Sequence, residues 1–344
     1  MRQVIEIERP GSEPSRIMIG SVGECLPQLT AGLDPIVITD RRVAACYPEL
    51  VEPYRHIVIG QGEESKNLDT MAVIYRRLVE EEADRGAFLL GIGGGIVTDI
   101  TGFAASTYMR GVRFGFVATT LLAQVDASVG GKNGVNFDGY KNMVGNFNQP
   151  DFVVCDPAML RTLPEREVRC GIAEAIKAGL IGSEGLFVRL EGGYETVMGD
   201  SELLFAVIRE AIEIKASVVA DDFTESGRRK ILNFGHTIGH AVEKCCRSYT
   251  HGEAVAIGCC HAAEISRRMG FMSECDKSRV VAAIERMGLP TECDVSAREL
   301  FEALLHDKKR CGDGIGFVVL DAIGRCHVER LAFERLARLM EVEL

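Results

Sequence analysis

The sequence lacks an excess of positive charge, a disulfide framework and any long apolar run. Its 344 residues hold 39 Lys and Arg against 50 Asp and Glu, a net charge of −11. That balance argues against binding nucleic acid or an acidic membrane by bulk electrostatics, and leaves only a local basic pocket for an anionic small molecule. No uninterrupted apolar stretch approaches the ~20 residues of a membrane span. The start, Met1-Arg2-Gln3-Val4-Ile5-Glu6-Ile7-Glu8, has no apolar signal-peptide core. Twelve cysteines include no C-x-x-C pair. Cys245-Cys246 and Cys259-Cys260 are adjacent pairs, and Cys155 and Cys259 lie in apolar runs. They read as reduced core thiols of a cytoplasmic protein. There is no low-complexity tract and no internal repeat.

What is present is enough apolar residue, 47%, and enough length for two domains. The first half alternates short apolar runs with helical patterns. Pro35 to Asp40, Arg55 to Gly60, Ala87 to Ile92 and Phe114 to Ala118 read as strands; Leu68 to Ala83 and Ile96 to Met109 read as helices. This is the pattern of a parallel sheet covered by helices. After Asp151 to Pro157 the character changes. Helical patterns run over Glu165 to Leu180, Ser201 to Asp221, Ile231 to Cys246, Gly252 to Met269 and Lys277 to Met287, followed by a small hairpin over Ile315 to Val328. The expected organisation is an α/β domain over residues 1–160 and a mostly helical domain over 161–344.

Two segments carry chemistry. Gly93-Gly94-Gly95 joins a strand to a helix, where backbone N–H groups and the helix dipole favour a pyrophosphate. It departs from G-x-G-x-x-G, so a plain tight turn explains it as well. Asp40, at another strand end, has the chemistry to bind a ribose. Gln61 to Lys66 is a second polar loop after a strand. The other segment is Leu232-Asn233-Phe234-Gly235-His236-Thr237-Ile238-Gly239-His240 with His251-Gly252-Glu253. Three of the seven histidines fall there. His236 and His240 share a helix face, and such a cluster suits zinc or a similar ion. A histidine pair on an apolar helix serves packing equally well.

An ordered series then resembles the 3-dehydroquinate synthase family of sugar-phosphate cyclases. It comprises Gly93-Gly94-Gly95 with Asp99, Thr107 to Gly111, Thr119-Thr120-Leu121-Leu122-Ala123-Gln124-Val125-Asp126, Gly130-Gly131-Lys132-Asn133-Gly134-Val135-Asn136, Lys141-Asn142, Ala173-Glu174-Ala175-Ile176-Lys177 and the histidine run. The resemblance extends from about Asp40 to Lys309. It implies an N-terminal Rossmann-like α/β domain and a C-terminal helical metal-binding domain, with the active site between them. It implies a lyase that turns 3-deoxy-D-arabino-heptulosonate 7-phosphate into 3-dehydroquinate and phosphate, in the shikimate route to chorismate and the aromatic amino acids. Transient oxidation by NAD⁺, phosphate elimination, re-reduction, ring opening and an aldol closure make up that conversion.

By the same resemblance, Glu174, His236 and His251 bind one divalent ion, zinc or in its place cobalt. Lys177, His240, Asp126, Asn233 and Glu225 take catalytic roles. Arg110, Lys132, Lys141, Asn142, Lys215, Arg229 and Lys308 (or Lys309) bind substrate, with Arg110 reaching in from a second subunit of a homodimer. Asp40, Glu63, Lys66, Gly93, Gly94, Gly95, Asp99, Thr119, Thr120, Asp126, Lys132, Lys141 and Thr162 surround NAD⁺. The chain departs from the family's pattern at Asn133, where Thr is usual, at Phe137-Asp138-Gly139-Tyr140, and at Arg42. Rival readings are an inosose- or valiolone-forming cyclase, a metal-dependent polyol dehydrogenase, and a non-catalytic NAD- and zinc-binding protein. The carboxylate-binding set Lys215, Arg229 and Asn233 has no purpose in the first, and the phosphate set has none in the second.

Overall fold

A computed structural model describes residues 2–9, 12–308 and 313–342. The chain forms two compact units, Met1–Pro164 and Glu165–Leu344.

The first unit is built on nine strands: β1 (Gln3–Arg9), β2 (Ser12–Ile19), β3 (Pro35–Asp40), β4 (Arg55–Ile59), β5 (Phe88–Gly93), β6 (Arg113–Ala118), β7 (Lys132–Phe137), β8 (Tyr140–Phe147) and β9 (Phe152–Cys155). Seven form one sheet in the order β1-β2-β9-β6-β5-β3-β4. β1 and β2 pair antiparallel and every other neighbour is parallel. β5 is buried throughout and β3 nearly so, which is why both read as continuous apolar runs rather than as alternation. Helices α1 (Val22–Leu29), α2 (Arg41–Cys46), α3 (Pro48–Val51), α4 (Leu68–Glu80) and α5 (Gly95–Thr107) complete this unit.

Strand order fixes where a ligand fits. From β3 the chain steps outward to β4, then returns to place β5 on the other side of β3. The crevice at the carboxyl ends of β3 and β5 is therefore a topological switch point, where open α/β sheets bind their ligands. Asp40 ends β3 and Gly93 ends β5.

The antiparallel pairs β1–β2 and β7–β8 were not among the expected strands. The turn that joins β7 to β8 is Asp138-Gly139, at φ +50° and +79°. Two positive φ values between Phe137 and Tyr140, which pair across it, make a type I′ hairpin, the turn that Asp-Gly favours. The departure at Asn133 also has its accommodation. Asn133 is buried, donates to the carbonyls of Gly131 and Asn148 at 3.1 and 2.8 Å, and its Oδ1 lies only 1.9 Å from where a Cβ on Gly102 would stand.

The second unit holds α6 (Glu165–Gly182), α7 (Glu184–Leu190), α8 (Tyr194–Gly199), α9 (Ser201–Asp221), α10 (His236–Cys245), α11 (His251–Arg268), α12 (Glu274–Arg286), α13 (Ala297–Lys308) and α14 (Phe333–Leu339), with the hairpin β10 (Gly314–Ala322) and β11 (Arg325–Ala332). The expected continuous helix from Ile231 to Cys246 is two elements. A 3₁₀ segment over Arg228–Asn233 ends before Gly235, which takes a left-handed conformation at φ +77°. The break lets α10 approach α11: a Cβ on Gly258 would lie 2.0 Å from the Gly235 carbonyl oxygen. α13 was not read from the sequence. No described helix is long and apolar enough to cross a membrane.

Candidate functional site

Three helices of the second unit converge on one carboxylate. Glu174 sits mid-way along α6, is 1% exposed, and pairs closely with Lys177 one turn later. His236 is the first residue of α10 and His251 the first of α11. Their Nε2 atoms lie 3.5 and 3.3 Å from Glu174 Oε1. Lys177 takes Oε2, whereas Oε1 meets only the two imidazoles at these longer distances. A buried carboxylate oxygen facing two imidazole nitrogens is a donor set that suits a divalent cation. These are the residues, among those described, whose ligand atoms all lie within 4.8 Å of one another.

The three groups act strongly on one another's charge. Burial pushes the Glu174 carboxyl up, but Lys177 and the two histidines outweigh it and hold it well below the usual carboxylate range. Burial pulls His236 down to about 3, against the attraction of Glu174. Burial also pulls on His251, yet the carboxylates of Glu174 and Glu243 prevail and raise it to about 10. His240 stands one turn beyond His236, its ring centroid 5.5 Å from that of His236 and 6.4 Å from that of His251. It is exposed beside the cluster.

The start of α11 is rigidly made. Thr250 and Glu253 form a capping box, satisfying two end donors reciprocally. Arg166 on α6 grips both Glu253 oxygens at 2.8 and 2.6 Å and the Ser248 carbonyl at 2.5 Å. Cys170 Sγ accepts from the Gly252 N–H at 3.1 Å. The two helices that carry Glu174 and His251 are thereby tied together next to the ligand atoms.

A second anchored loop runs from Asp222 to Asn233. The Asp222 carboxylate accepts from the N–H groups of Ser226, Gly227 and Arg229 at 3.0, 2.7 and 3.0 Å. Slight burial opposes these bonds, which hold its carboxyl down to about 2. Arg229 is 1% exposed and donates to the Phe223 carbonyl at 2.5 Å. Glu225, at φ +61°, accepts from Asn233 Nδ2 at 2.5 Å. Lys215 on α9 is buried. Lys309 lies outside the described residues, and so does the side chain of Lys308.

In the first unit, Lys66 gathers several of the expected cofactor and substrate residues. Its ammonium is buried and lies 2.5 Å from both Asp99 Oδ2 and Asn142 Oδ1. Asn136 joins the same cluster: its Nδ2 donates to Glu63 at 2.7 Å, its N–H to the Lys66 carbonyl at 2.8 Å, and its Oδ1 accepts from the Asn142 N–H at 2.8 Å. The hairpin β7–β8 is thus latched to the loop after β4. Gly93 closes β5, Gly94 caps α5, and the Thr119 N–H donates to the Gly93 carbonyl at 2.9 Å. Thr120 Oγ1 accepts from the Ala123 N–H, and Asp126 lies in the π-helical segment Ala123–Ala127 that begins there.

Other expected residues sit at separate points of the first unit's elements. Asp40 Oδ1 caps α2 by accepting from the Arg42 and Val43 N–H groups at 2.8 and 2.9 Å. Lys132 pairs with Phe147 at the open end of the hairpin, whereas Lys141 and Asn142 lie beside its turn. Thr162 hydrogen-bonds Tyr47 at 2.7 Å. Arg110 is exposed with φ +71°. The sequence reading missed Glu243, Asn136, Asp222 and Arg166. Only Glu243 carried a usable signal, because His236, His240 and Glu243 follow the 4-3 spacing of one helix face.

Residues 56–170 match the family model described as 3-dehydroquinate synthase N-terminal, and residues 171–310 match the one described as 3-dehydroquinate synthase C-terminal. The chain belongs to the 3-dehydroquinate synthase family. A 3-dehydroquinate synthase of Geobacter sp. (strain M21) is 43% identical over 318 residues, covering 89% of this chain and 87% of the relative. Among solved structures, a 2-deoxy-scyllo-inosose synthase complexed with carbaglucose-6-phosphate, NAD⁺ and Co²⁺ superposes with a TM-score of 0.86 at 27% identity, covering 98% of this chain and 99% of that one. The 2-epi-5-epi-valiolone synthase of Streptomyces hygroscopicus subsp. jinggangensis 5008, with NAD⁺ and Zn²⁺ bound, shares the fold at a TM-score of 0.88 and 24% identity, covering 97% and 98%. Membership makes the chain an enzyme of the sugar-phosphate cyclase type and confirms the fold expected from its motifs.

Proposed function

We propose that this chain converts 3-deoxy-D-arabino-heptulosonate 7-phosphate to 3-dehydroquinate and phosphate, acting as a carbon–oxygen lyase with NAD⁺ and one divalent ion, zinc or cobalt. The observation that carries the reading is the buried Glu174 carboxylate whose Oε1 faces the Nε2 atoms of His236 and His251. It accompanies a set of buried cations, Arg229 and Lys215, that a carboxylated sugar needs. Residues 1–160 are assigned to NAD⁺ and residues 161–344 to the ion and the substrate. The location is cytoplasmic and the assembly a homodimer, with Arg110 serving the neighbouring subunit.

When bound, the ion supplies Lewis acidity to a substrate hydroxyl, and NAD⁺ supplies a reversible hydride acceptor. Glu174, His236 and His251 hold the ion. Lys177 keeps the Glu174 carboxylate ionised and presents an ammonium to a substrate oxygen. Arg229 binds the carboxylate through its planar fork, with Lys215 beside it. Asn233 binds a hydroxyl, and its 2.5 Å bond to Glu225 fixes its amide beforehand. His240 hydrogen-bonds beside the ion.

Lys132, Asn142 and Lys308 neutralise the phosphate. The substrate's own phosphate then serves as the base at the neighbouring carbon, so no side-chain base is required. Asp40, Glu63, Lys66, Gly93 to Gly95, Asp99, Thr119, Thr120, Asp126, Lys141 and Thr162 are assigned to the cofactor. The switch-point crevice between β3 and β5 supports that assignment.

The test is phosphate release from the heptulosonate with NAD⁺ and zinc, before and after chelation. Chelator-sensitive release matched by dehydroquinate, with no net NADH, is expected. No release from fully loaded protein, with turnover of sedoheptulose 7-phosphate or glucose 6-phosphate instead, would make it a different cyclase.

A further inference from the structure

The two histidines that face Glu174 are anchored from behind in different ways. His236 Nδ1 lies 3.1 Å from the Phe234 carbonyl oxygen, an uncharged acceptor two residues earlier in the chain. His251 Nδ1 lies 3.3 Å from Glu243 Oε1, a carboxylate on the neighbouring helix α10. The Glu243 side chain is 10% exposed and that of His251 is 32% exposed. In both rings the Nδ1 contact leaves Nε2 turned toward Glu174. An acceptor at Nδ1 fixes the proton there and leaves the Nε2 lone pair for an ion.

We infer that Glu243 is the positioning residue for His251, holding its ring and its tautomer so that Nε2 meets the ion. This rests on the reading of Glu174, His236 and His251 as the metal site. His236 opens α10 directly after the left-handed Gly235, so short-range geometry places it. His251 follows the loop from Arg247 to Thr250 and is the more exposed ring, so its direction depends on a side chain. Glu243 comes from the helix His236 itself begins, seven residues on and on the same face. One rigid helix therefore supplies a ligand and the orienter of the other histidine ligand. Charge balance supports a carboxylate in that place. Glu174 is paired with Lys177, and a second carboxylate behind His251 restores negative charge around a divalent ion.

The test uses full-length, chelator-stripped protein titrated with Co²⁺, read by visible absorption and by competition with a chelator of known affinity. Glu243→Ala is expected to weaken Co²⁺ binding about 10- to 100-fold and to shift the ligand-field bands. Glu243→Gln keeps an acceptor for Nδ1–H but loses the charge. It is expected to keep the parent spectrum with a loss below about tenfold, a rescue that general destabilisation of the helix would not give. Thermal unfolding of each stripped variant identifies those that fold. Should the alanine variant fail to fold, Glu243→Leu, which fills similar volume but offers Nδ1–H no acceptor, takes its place, and parental Co²⁺ affinity and spectrum in it overturn the inference. A folded Glu243→Ala protein with parental affinity and spectrum overturns it equally. His251→Ala separates the two levels. If that variant also binds Co²⁺ like the parent, the metal-site reading fails; if it alone loses the ion, only the role of Glu243 fails.

Discussion

Glu174 and Lys177 face each other one helical turn apart on α6, both almost fully removed from solvent. A buried carboxylate is tolerated only with compensating charge, and removal of one partner of such a pair costs about 3–5 kcal/mol. Lys177→Met should therefore destabilise the chelated protein by about that much. With zinc present the ion takes over much of the compensation, so the loss should be smaller. Urea unfolding of parent and variant, with and without chelator, measures both. An equal loss in the two conditions would place the compensation somewhere other than the metal site.

The hairpin latch gives a second expectation. Asn136 joins Glu63, Lys66 and Asn142 through three bonds of 2.7 to 2.8 Å, two of them through its side chain. Asn136→Ala loosens Asn142 from the cofactor loop without removing any residue assigned to bind phosphate. The KM for the heptulosonate and the Kd for NAD⁺ should both rise, each by about fivefold, as expected if each reads the loss of one hydrogen bond of roughly 1 kcal/mol. Titration of NAD⁺ alone and steady-state kinetics read the two separately. A change in KM with unaltered NAD⁺ affinity would mean the latch serves the hairpin only.

Much of this was legible because local rules and tertiary structure agree. β3 and β5 are buried strands and read as apolar runs; Gly93 to Gly95 mark a strand-to-helix junction and form one. The break that divides the helix expected over Ile231 to Cys246 was not legible. The segment's apolar spacing is helical throughout, but Gly235 turns left-handed because the close approach to Gly258 decides the backbone there. β7 and β8 escaped notice because the hairpin is glycine-rich and mostly exposed, so burial imposes no alternation. Asp222 and Arg166 were invisible for a different reason. They act on backbone atoms or on partners many residues away, and an isolated Asp or Arg in a polar segment has no pattern to mark it.

Arg229 tests the nature of the substrate. It is buried with its backbone N–H held by Asp222 and its guanidinium bonded to the Phe223 carbonyl. Arg229→Ala should lower kcat/KM for the heptulosonate by about 100-fold, near 3 kcal/mol, the worth of a strong charged contact. Zinc content and NAD⁺ affinity should not change, because neither site uses this side chain. Unaltered kcat/KM would remove the carboxylate role and revive a cyclase acting on a neutral sugar phosphate.

Acid stability should reflect Glu264 on α11, away from the metal ligands. Arg267 meets its two oxygens at 2.9 and 2.7 Å and Arg268 bonds it at 2.7 Å. The bonds from Arg267, against the opposing push of burial and with help from Arg268, hold the carboxyl down to about 2. An unfolded glutamate titrates near ~4.3. The folded value is the lower one, so the unfolded chain takes up the proton first as pH falls. The stabilisation is complete above about 4.3 and disappears as pH drops toward 2. Glu264→Gln removes it at every pH. The stability gap between parent and variant should therefore be constant from about pH 7 to 5 and shrink below about 4.3. Urea unfolding across that range measures the gap. A gap that persists undiminished at low pH would show that Glu264 stabilises α11 by packing rather than by its charge.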